Sequence, residues 1–414
     1  MLTLSRPLTT DFSALRPEIQ ALQGELVGWR RQLHQRPELG FQEEITAGFI
    51  RDRLTEWDID HSSIAKTGVI ALIRGTKLQG TTLGPVLGIR ADMDGLPVQE
   101  LNEVPYRSVH DGKMHACGHD GHVAIALGTA KYLQSHREQF CGTVKIMFQP
   151  AEEGPGGAMP MIEAGALKNP DVDAVVGLHL WNNLPLGTLG VCSGPMMAAT
   201  EFFTCTIQGK GGHGAIPQQT VDAVVVGAQV VNALQTIVSR NIDPLKSAVV
   251  SVGEFKAGTA VNVIADSAYL SGTVRYFDPE YGELIPERLE QVIAGVCAAQ
   301  RASYELDYQK LYPPVVNDEA IADLVRSVAL SVVETPVGVV PECQTMGGED
   351  VSFFLQAVPG CYFFLGSANG ARGLDYPHHH PRFDFDETAL GVGVEMFVRL
   401  VERFCVADAE TSLK

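Results

Sequence analysis

The sequence predicts an α/β protein: a split domain with a largely parallel mixed sheet flanked by helices, and an inserted α+β domain. Two observations predict this fold class. Five apolar runs with few polar breaks are typical of strands buried on both faces, and helical segments lie between them. The middle of the chain instead alternates like half-exposed strands. Residues 1–197 and 313–414 are therefore assigned to one domain and residues 198–312 to the other.

The split domain, which we call the outer domain, begins with a helix predicted near residues 11–35. Its apolar residues recur in steps of three and four, and Pro37 ends it: Leu15, Ile19, Leu22, Leu26, Trp29 and Leu33. A second helix is predicted at His122–His136. The five apolar runs are Gly68–Ile73, Val86–Ile89, Gly142–Phe148, Ala174–Leu178 and Cys361–Gly366.

The inserted segment has the order β-α-β-β-α-β, which is the order of a ferredoxin-like unit. Its periodicity predicts helices at Val221–Arg240 and Tyr281–Arg301. The predicted strands are Glu201–Lys210, Ser247–Lys256, Ser267–Asp278 and Tyr304–Leu311.

Charge and cysteine usage limit the partners and the compartment. The 414 residues include 31 basic and 49 acidic side chains, a net charge of −18, which argues against nucleic acid or an anionic membrane as partner. No apolar run reaches the ~18 residues of a membrane span, and the N-terminal residues show no apolar signal-peptide core. Eight scattered cysteines without a C-x-x-C pair predict reduced thiols in a cytoplasmic protein.

Three predicted strands end in side chains that can bind a metal or move a proton. Asp92 and Asp94 follow the second apolar run, Glu152 and Glu153 follow the third, and His179 ends the fourth. Ligands of open parallel sheets bind outside the carboxyl ends of the strands. Each group alone is compatible with a solvated loop acid, but three at one edge predict a site.

The segment 114–122, MHACGHDGH, is denser still. Cys117 and His119 are separated by one glycine, which suits a turn in which both side chains meet one cation. Thiolate and imidazole are typical ligands of Zn²⁺ and related ions. His122 is predicted to face the helix interior or to support the ligands. His115 is predicted to have, at most, a similar supporting role.

Two further features bear on the chemistry. Among the histidines at 378–380, at least one is predicted to be a ligand, although such a tract also occurs as a plain surface feature. The adjacent glutamates divide two roles of a hydrolytic metal site: one carboxylate binds metal, and the other takes a proton from water and returns it to the leaving group.

The inserted domain contributes three candidate polar groups. His213 lies in a glycine-rich turn, GKGGHGA, where it can donate a hydrogen bond to a developing oxyanion. This turn lacks the ending of a phosphate-binding loop, so nucleotide binding is rejected. Asn262 is a weaker candidate contact. Arg275 is compatible with a substrate carboxylate or with an exposed strand position.

Taken together, these segments resemble the aminoacylase and carboxypeptidase family of co-catalytic metallohydrolases. The similarity is closest to its amidohydrolase branch, with hippurate hydrolase, N-acyl-amino-acid amidohydrolases and indole-acetyl-amino-acid hydrolases. The motifs run in family order over residues 30–387: RRQLHQRPELGFQE, GIRADMDGLP, MHACGHDGH, FQPAEEG, GLHLW, GKGGHGAIP, MGGEDVSFF and HHPRFDFDE.

The resemblance implies a role for each matching residue. Cys117 looks like the ligand shared by two metals. The other ligands implied are His119 and His179 for one metal, and Glu153 and His379 for the other. Glu152 resembles the general base and Asp94 an orienting acid. His213 and Asn262 resemble groups of a lid and dimerisation domain that reach the substrate.

The resemblance also implies two divalent ions per subunit, with Mn or Zn expected first and Co or Ni possible. It implies a small N-acyl amino acid as substrate and a homodimer, or a higher homo-oligomer, formed through the lid. A dipeptidase or carboxypeptidase of the same family is an alternative. Two other readings of the residues are a thiol hydrolase using Cys117 with His119 or His122, and a metal-binding protein without catalysis.

Overall fold

The computed structural model describes residues 15–77, 84–333 and 338–406. These residues form nine α-helices, α1–α9: Pro17–His34, Glu44–Glu56, His119–Ser135, Ala158–Glu163, Ala223–Asn241, Tyr281–Gln300, Glu319–Val332, Ser352–Ala357 and Ala389–Phe404. They also form sixteen strands, β1–β16: Asp60–Ile64, Gly68–Arg74, Val86–Asp92, Thr143–Gln149, Ala174–Pro185, Leu189–Gly190, Gly194–Met197, Thr200–Gln208, Gly212–His213, Ala248–Ala257, Val263–Ile264, Ser267–Tyr276, Ser303–Tyr312, Val315–Asn317, Val339–Val340 and Gly360–Ala368. Residues 11–14 of the first predicted helix lie outside the described ranges.

The chain divides into two compact units. The first comprises the described parts of Met1–Gly194, Val316–Cys343 and Phe353–Lys414, and the second comprises Pro195–Val315 and Gln344–Ser352. The sequence pattern grouped residues 344–352 with the outer domain. Their backbone pairs instead within the second unit, where Thr345 N–H donates to Met196 O at 3.0 Å and Ala198 N–H donates to Gly347 O at 3.0 Å.

An eight-stranded sheet forms the centre of the first unit, in the order β1-β2-β4-β3-β5-β16-β6-β15. Four neighbouring strands, β4, β3, β5 and β16, are parallel. The predicted large mixed sheet flanked by helices is confirmed. The strands β1 and β2 form a tight antiparallel hairpin, whose turn places Ala65 and Lys66 at φ of 45° and 72°. The strand β2 is also antiparallel to its other neighbour, β4.

The helix α3 is buried along most of its length and packs against α1 and α9. Gly128 permits this close approach, because a Cβ there would lie 2.5 Å from Leu26 Cδ2 and 2.9 Å from Val394 Cγ2. The contact fixes α3 within the core. Its first residue is His119, so the packing also fixes where the predicted ligand segment begins.

The second unit contains a four-stranded antiparallel sheet in the order β10-β12-β8-β13, on which α5 and α6 pack. A separate two-stranded ribbon pairs β9 with β11. Among the described helices, α5 alone is long and apolar enough to cross a membrane by length and composition. One face of α5, with Val226, Val230, Leu234 and Ile237, is buried in the core of this unit.

Candidate metal centre

Side chains from the ends of β3 and β4 and from the middle of β5 meet at one edge of the large sheet. The sequence predicts that the fourth run ends at His179, but β5 continues to Pro185, and His179 pairs with Phe364 of β16. Asp94 lies two residues beyond β3, and Glu152 and Glu153 follow β4. The Asp94 carboxylate accepts the backbone N–H of Glu152 at 3.1 Å and that of Glu153 at 3.0 Å. Asp94 therefore fixes the bend from which the two glutamates project.

The segment before α3 brings a thiol to the same edge. Gly118, between Cys117 and His119, has φ of 97°, a left-handed conformation that side-chain-bearing residues rarely adopt. This turn lets both neighbours face one point. The Cys117 Sγ lies 3.4 Å from the Nε2 of His179, which projects from β5 beyond the last β3–β5 pair.

Two buried imidazoles are oriented by backbone carbonyls. His119 Nδ1 donates to Asp94 O at 3.0 Å, and His179 Nδ1 donates to Leu180 O at 2.6 Å. In both rings Nδ1 therefore carries a proton, and Nε2 is the nitrogen left for a metal. This is the usual arrangement of a metal-ligating histidine. Among the described residues, the buried His119 Nε2 has no hydrogen-bond partner.

His379 comes from a loop between β16 and α9. Its backbone has φ of 65°, and its Nε2 lies 3.2 Å from Glu153 Oε1. Its two neighbours face elsewhere. The His378 ring stacks on Trp181 and its Nε2 accepts the backbone N–H of Asn182, while His380 Nδ1 accepts the backbone N–H of Arg382.

The ligand atoms form two groups that share one thiol. Within each group all the ligand atoms lie within 4.8 Å of one another: Cys117, His119 and His179 in the first, and Cys117, Glu153 and His379 in the second. Glu152 joins a third group with His119 and Glu153. A thiolate, three imidazoles and a carboxylate fit divalent transition-metal cations.

Electrostatics within the cluster favour a bound cation over a reactive thiol. Burial, together with the carboxylates of Glu153 and Glu152, raises the pKa of Cys117 well above its usual value. A thiol with this shift stays protonated and is a poor nucleophile, whereas a cation that binds it would displace the proton. Burial lowers the pKa of His119, but Asp92 and Asp94 outweigh burial and raise it to about 10.

Asp92 and His122 support the cluster, and their pairing was not foreseen. His122 Nδ1 donates to Asp92 Oδ1 at 2.5 Å, and its Nε2 accepts the Leu180 backbone N–H at 2.9 Å. Both ring nitrogens are thus used, which leaves His122 none for a metal. His115 is buried and, among the described residues, hydrogen-bonds through neither nitrogen; burial lowers its pKa to about 4.

The candidate residues of the inserted segment lie in the second unit. His213 pairs with Val263 across the β9–β11 ribbon, and Asn262 O accepts the Gly214 N–H at 2.8 Å, so His213 and Asn262 are neighbours with exposed side chains. Arg275, on β12, is half-buried with its guanidinium 5.5 Å from the Phe202 ring centre.

Comparison with known proteins identifies the family. The profile of peptidase family M20/M25/M40 matches residues 88–403, which is more than half of the chain. The chain belongs to this family. The resemblance found in the sequence is thereby confirmed, and the M20-family chain is a hydrolase of amide bonds.

Three relatives extend the match over most of the M20-family chain. The N-acyl-L-amino acid amidohydrolase of Geobacillus stearothermophilus is 46% identical over 301 residues, or 72% of this chain and 80% of that protein. The IAA-amino acid hydrolase ILR1-like 4 of Arabidopsis thaliana is 40% identical over 386 residues, or 92% and 85%. The solved structure of Bacillus subtilis YxeP, described as a dinuclear metal-binding peptidase, has a TM-score of 0.79, 37% identity, and coverage of 93% and 99%.

Proposed function

We propose that this chain is a metal-dependent amidohydrolase that cleaves an N-acyl amino acid into a carboxylic acid and a free amino acid. One observation carries the proposal: two ligand groups share the Cys117 thiol, and the Glu152 carboxylate stands beside them. Relatives named for N-acyl and indole-acetyl amino acids support this substrate class.

The donor set assigns the ligands to two divalent cations. Cys117 serves both; His119 and His179 complete one set, and Glu153 and His379 the other. When bound, the cations supply Lewis acidity, which lowers the pKa of water and polarises the amide carbonyl. Mn²⁺ and Zn²⁺ suit these donors best, and Co²⁺ or Ni²⁺ is compatible with them.

Glu152 is the proton carrier in this proposal. Its Oε2 lies 3.9 Å from His119 Nε2, so its carboxylate borders the ligand cluster. Glu152 takes a proton from the attacking water and delivers it to the nitrogen of the leaving amino acid. Asp94 keeps Glu152 in place through the backbone hydrogen bond described above, so it acts as an orienting acid.

Residues 198–312 are proposed as an inserted, ferredoxin-like lid and dimerisation domain, with residues 1–197 and 313–414, apart from 344–352, as the split catalytic domain. His213 stabilises the oxyanion of the tetrahedral intermediate, and Asn262 contacts the substrate. Their exposed, neighbouring side chains support a role in binding a molecule from outside this unit.

A homodimer formed through this domain is proposed as the assembly. Large apolar side chains are exposed on the second unit and support association with another copy: Phe202, Val225, Phe255, Val261 and Val263. The cytoplasm is proposed as the compartment, since all eight cysteines are free thiols.

A substrate panel tests the function. The metal-free protein, reloaded with Mn²⁺ or Zn²⁺, is assayed for amine release from acetyl-, benzoyl- and indoleacetyl-amino acids and from dipeptides. We expect release from at least one N-acyl amino acid, its loss with a chelator and its recovery on adding metal. Release from dipeptides alone indicates the peptidase alternative, and bound metal without any turnover contradicts catalysis.

A further inference from the structure

The loop of residues 375–388, which carries His379, lacks helix and strand. The His379 side chain is 54% exposed, so packing alone does not fix it. We propose that Asn182 and Arg30 are positioning residues that hold this loop so that His379 reaches Glu153 and Cys117. The inference rests on the two-cation site of the proposed function.

Asn182 joins both flanks of His379 to β5. It is buried, and its Nδ2 donates to Tyr376 O at 3.0 Å and to Asp384 O at 2.8 Å. Its Oδ1 accepts the Ser367 hydroxyl at 2.7 Å. All three side-chain bonds are made at once, and two of them go to the loop backbone on opposite sides of His379. Asn182 therefore acts as a bracket across the loop.

Arg30 joins the same loop to the helix that begins with His119. Its buried guanidinium donates from Nη2 to Asp384 Oδ1 at 2.8 Å and from Nε to Asp120 Oδ2 at 2.8 Å. Asp120 directly follows His119. The ion pair therefore connects the segments that carry one ligand of each group.

A backbone bond lies between these two anchors. The His379 N–H donates to Ala116 O at 2.8 Å, one residue before Cys117. Other bonds also hold the loop: Leu101 N–H donates to Pro381 O at 2.8 Å, and Asn102 Nδ2 donates to Phe383 O at 3.0 Å. Asn182 differs from these in binding the loop backbone on both sides of His379, and Arg30 differs in joining the loop to the residue after His119.

The test compares Asn182→Ala with a matched control, Asn317→Ala. Asn317 is also buried, donates its Nδ2 to Cys192 O at 2.9 Å and Tyr362 O at 2.8 Å, and accepts the Tyr362 N–H at 2.7 Å. It makes the same number of side-chain bonds in the same unit, and none of these three bonds goes to the loop. Each metal-free protein is titrated with Zn²⁺ by calorimetry against a competing chelator, and its unfolding temperature is measured.

We expect Asn182→Ala to bind one Zn²⁺ as the wild type does and the second about 10- to 100-fold more weakly. Asn317→Ala should lower the unfolding temperature comparably but keep both affinities within about threefold. Unchanged affinities in Asn182→Ala, or an equal loss of both, overturn the proposal. A residue that contributes only to folding would not weaken the binding of one cation and leave the affinity for the other unchanged.

A second variant, at the Arg30–Asp384 pair, tests the positioning role even if Asn182→Ala fails to fold. Asp384→Asn keeps the size of the side chain and weakens its pair with Arg30, so the same selective loss is expected. If Asp384→Asn binds both cations like the wild type, the positioning role is wrong. A wild-type protein that binds fewer than two cations contradicts the proposed function instead.

Discussion

The two ligand groups share Cys117 but differ in how their other members are held. His119 and His179 are 0% and 4% exposed, and each donates its Nδ1 hydrogen to a backbone carbonyl. His379 is 54% exposed and stands on a loop. The first group is fixed by packing, whereas the second depends on polar anchors. In the proposed two-cation site, the first cation would meet donors that packing already holds in place, and the second would meet donors whose geometry depends on the loop.

The largest expected effect separates the two adjacent glutamates. Glu152→Gln removes the proton carrier but leaves both ligand groups intact, so we expect kcat to fall by about 10³-fold while two cations remain bound. Metal analysis of the purified variant and a turnover assay on the best substrate of the panel measure both quantities.

Glu153→Gln is the matched control for this change. It is isosteric, lies one residue away and belongs to the second group, so it should release one cation. Wild-type turnover by Glu152→Gln would show that another group moves the proton. Loss of metal from Glu152→Gln would place Glu152 among the ligands.

The next prediction uses the shared thiol. Cys117→Ala removes a donor from both groups, so both affinities should fall by more than about 100-fold, whereas His379→Ala should weaken only one. Chelator competition with each metal-free variant measures the two constants. If Cys117→Ala weakens only one cation, the thiol is not shared, and the division of the ligands into two groups is wrong.

A smaller effect is expected from the second unit. His213→Ala removes one oxyanion donor, so kcat should fall by about 10²-fold with unchanged metal affinity. The neighbouring Gln219→Ala, on the same exposed surface, is the control and should retain wild-type kcat. An equal kcat for His213→Ala and the wild type would exclude the oxyanion role.

Much of the fold could be predicted because burial leaves a pattern in the sequence. The run Ala174–Leu178 marks the start of β5, and the apolar steps from Ile19 to Leu33 mark α1. The β1–β2 hairpin could not be predicted, because its turn contains two positive-φ residues, Ala65 and Lys66, that are neither glycine nor asparagine. The placement of residues 344–352 depends on long-range backbone pairing, which has no local signature.

The candidate site, like the fold, could be predicted from the sequence only in part. Asp94, Glu152 and His179 could be foreseen at one edge, because parallel strands present their carboxyl ends together. The choice of His379 among three histidines came from the family resemblance. The role of Asn182 had no signal, since a lone asparagine after GLHLW is ordinary in sequence, and its importance lies in two carbonyls about 200 residues away.

The smallest expected effect concerns the ion network beneath the loop, and it depends on pH. His34 donates Nδ1 to Asp120 at 2.7 Å and Nε2 to Glu100 at 3.3 Å. Burial and Arg30 lower its pKa, but Asp120 and Glu100 outweigh them and raise it to about 9 from 6.5. The stability from charged His34 is therefore complete below pH 6.5 and is lost as the pH rises through 9.

Urea unfolding of the metal-free protein between pH 6 and 10 measures this loss. The wild-type free energy of unfolding should fall by about 3 kcal/mol more than that of His34→Gln over this range. His61→Gln, a histidine outside the network, should keep the wild-type slope. Equal slopes for His34→Gln and the wild type would mean that the stability of the network beneath the loop does not depend on a charged imidazole.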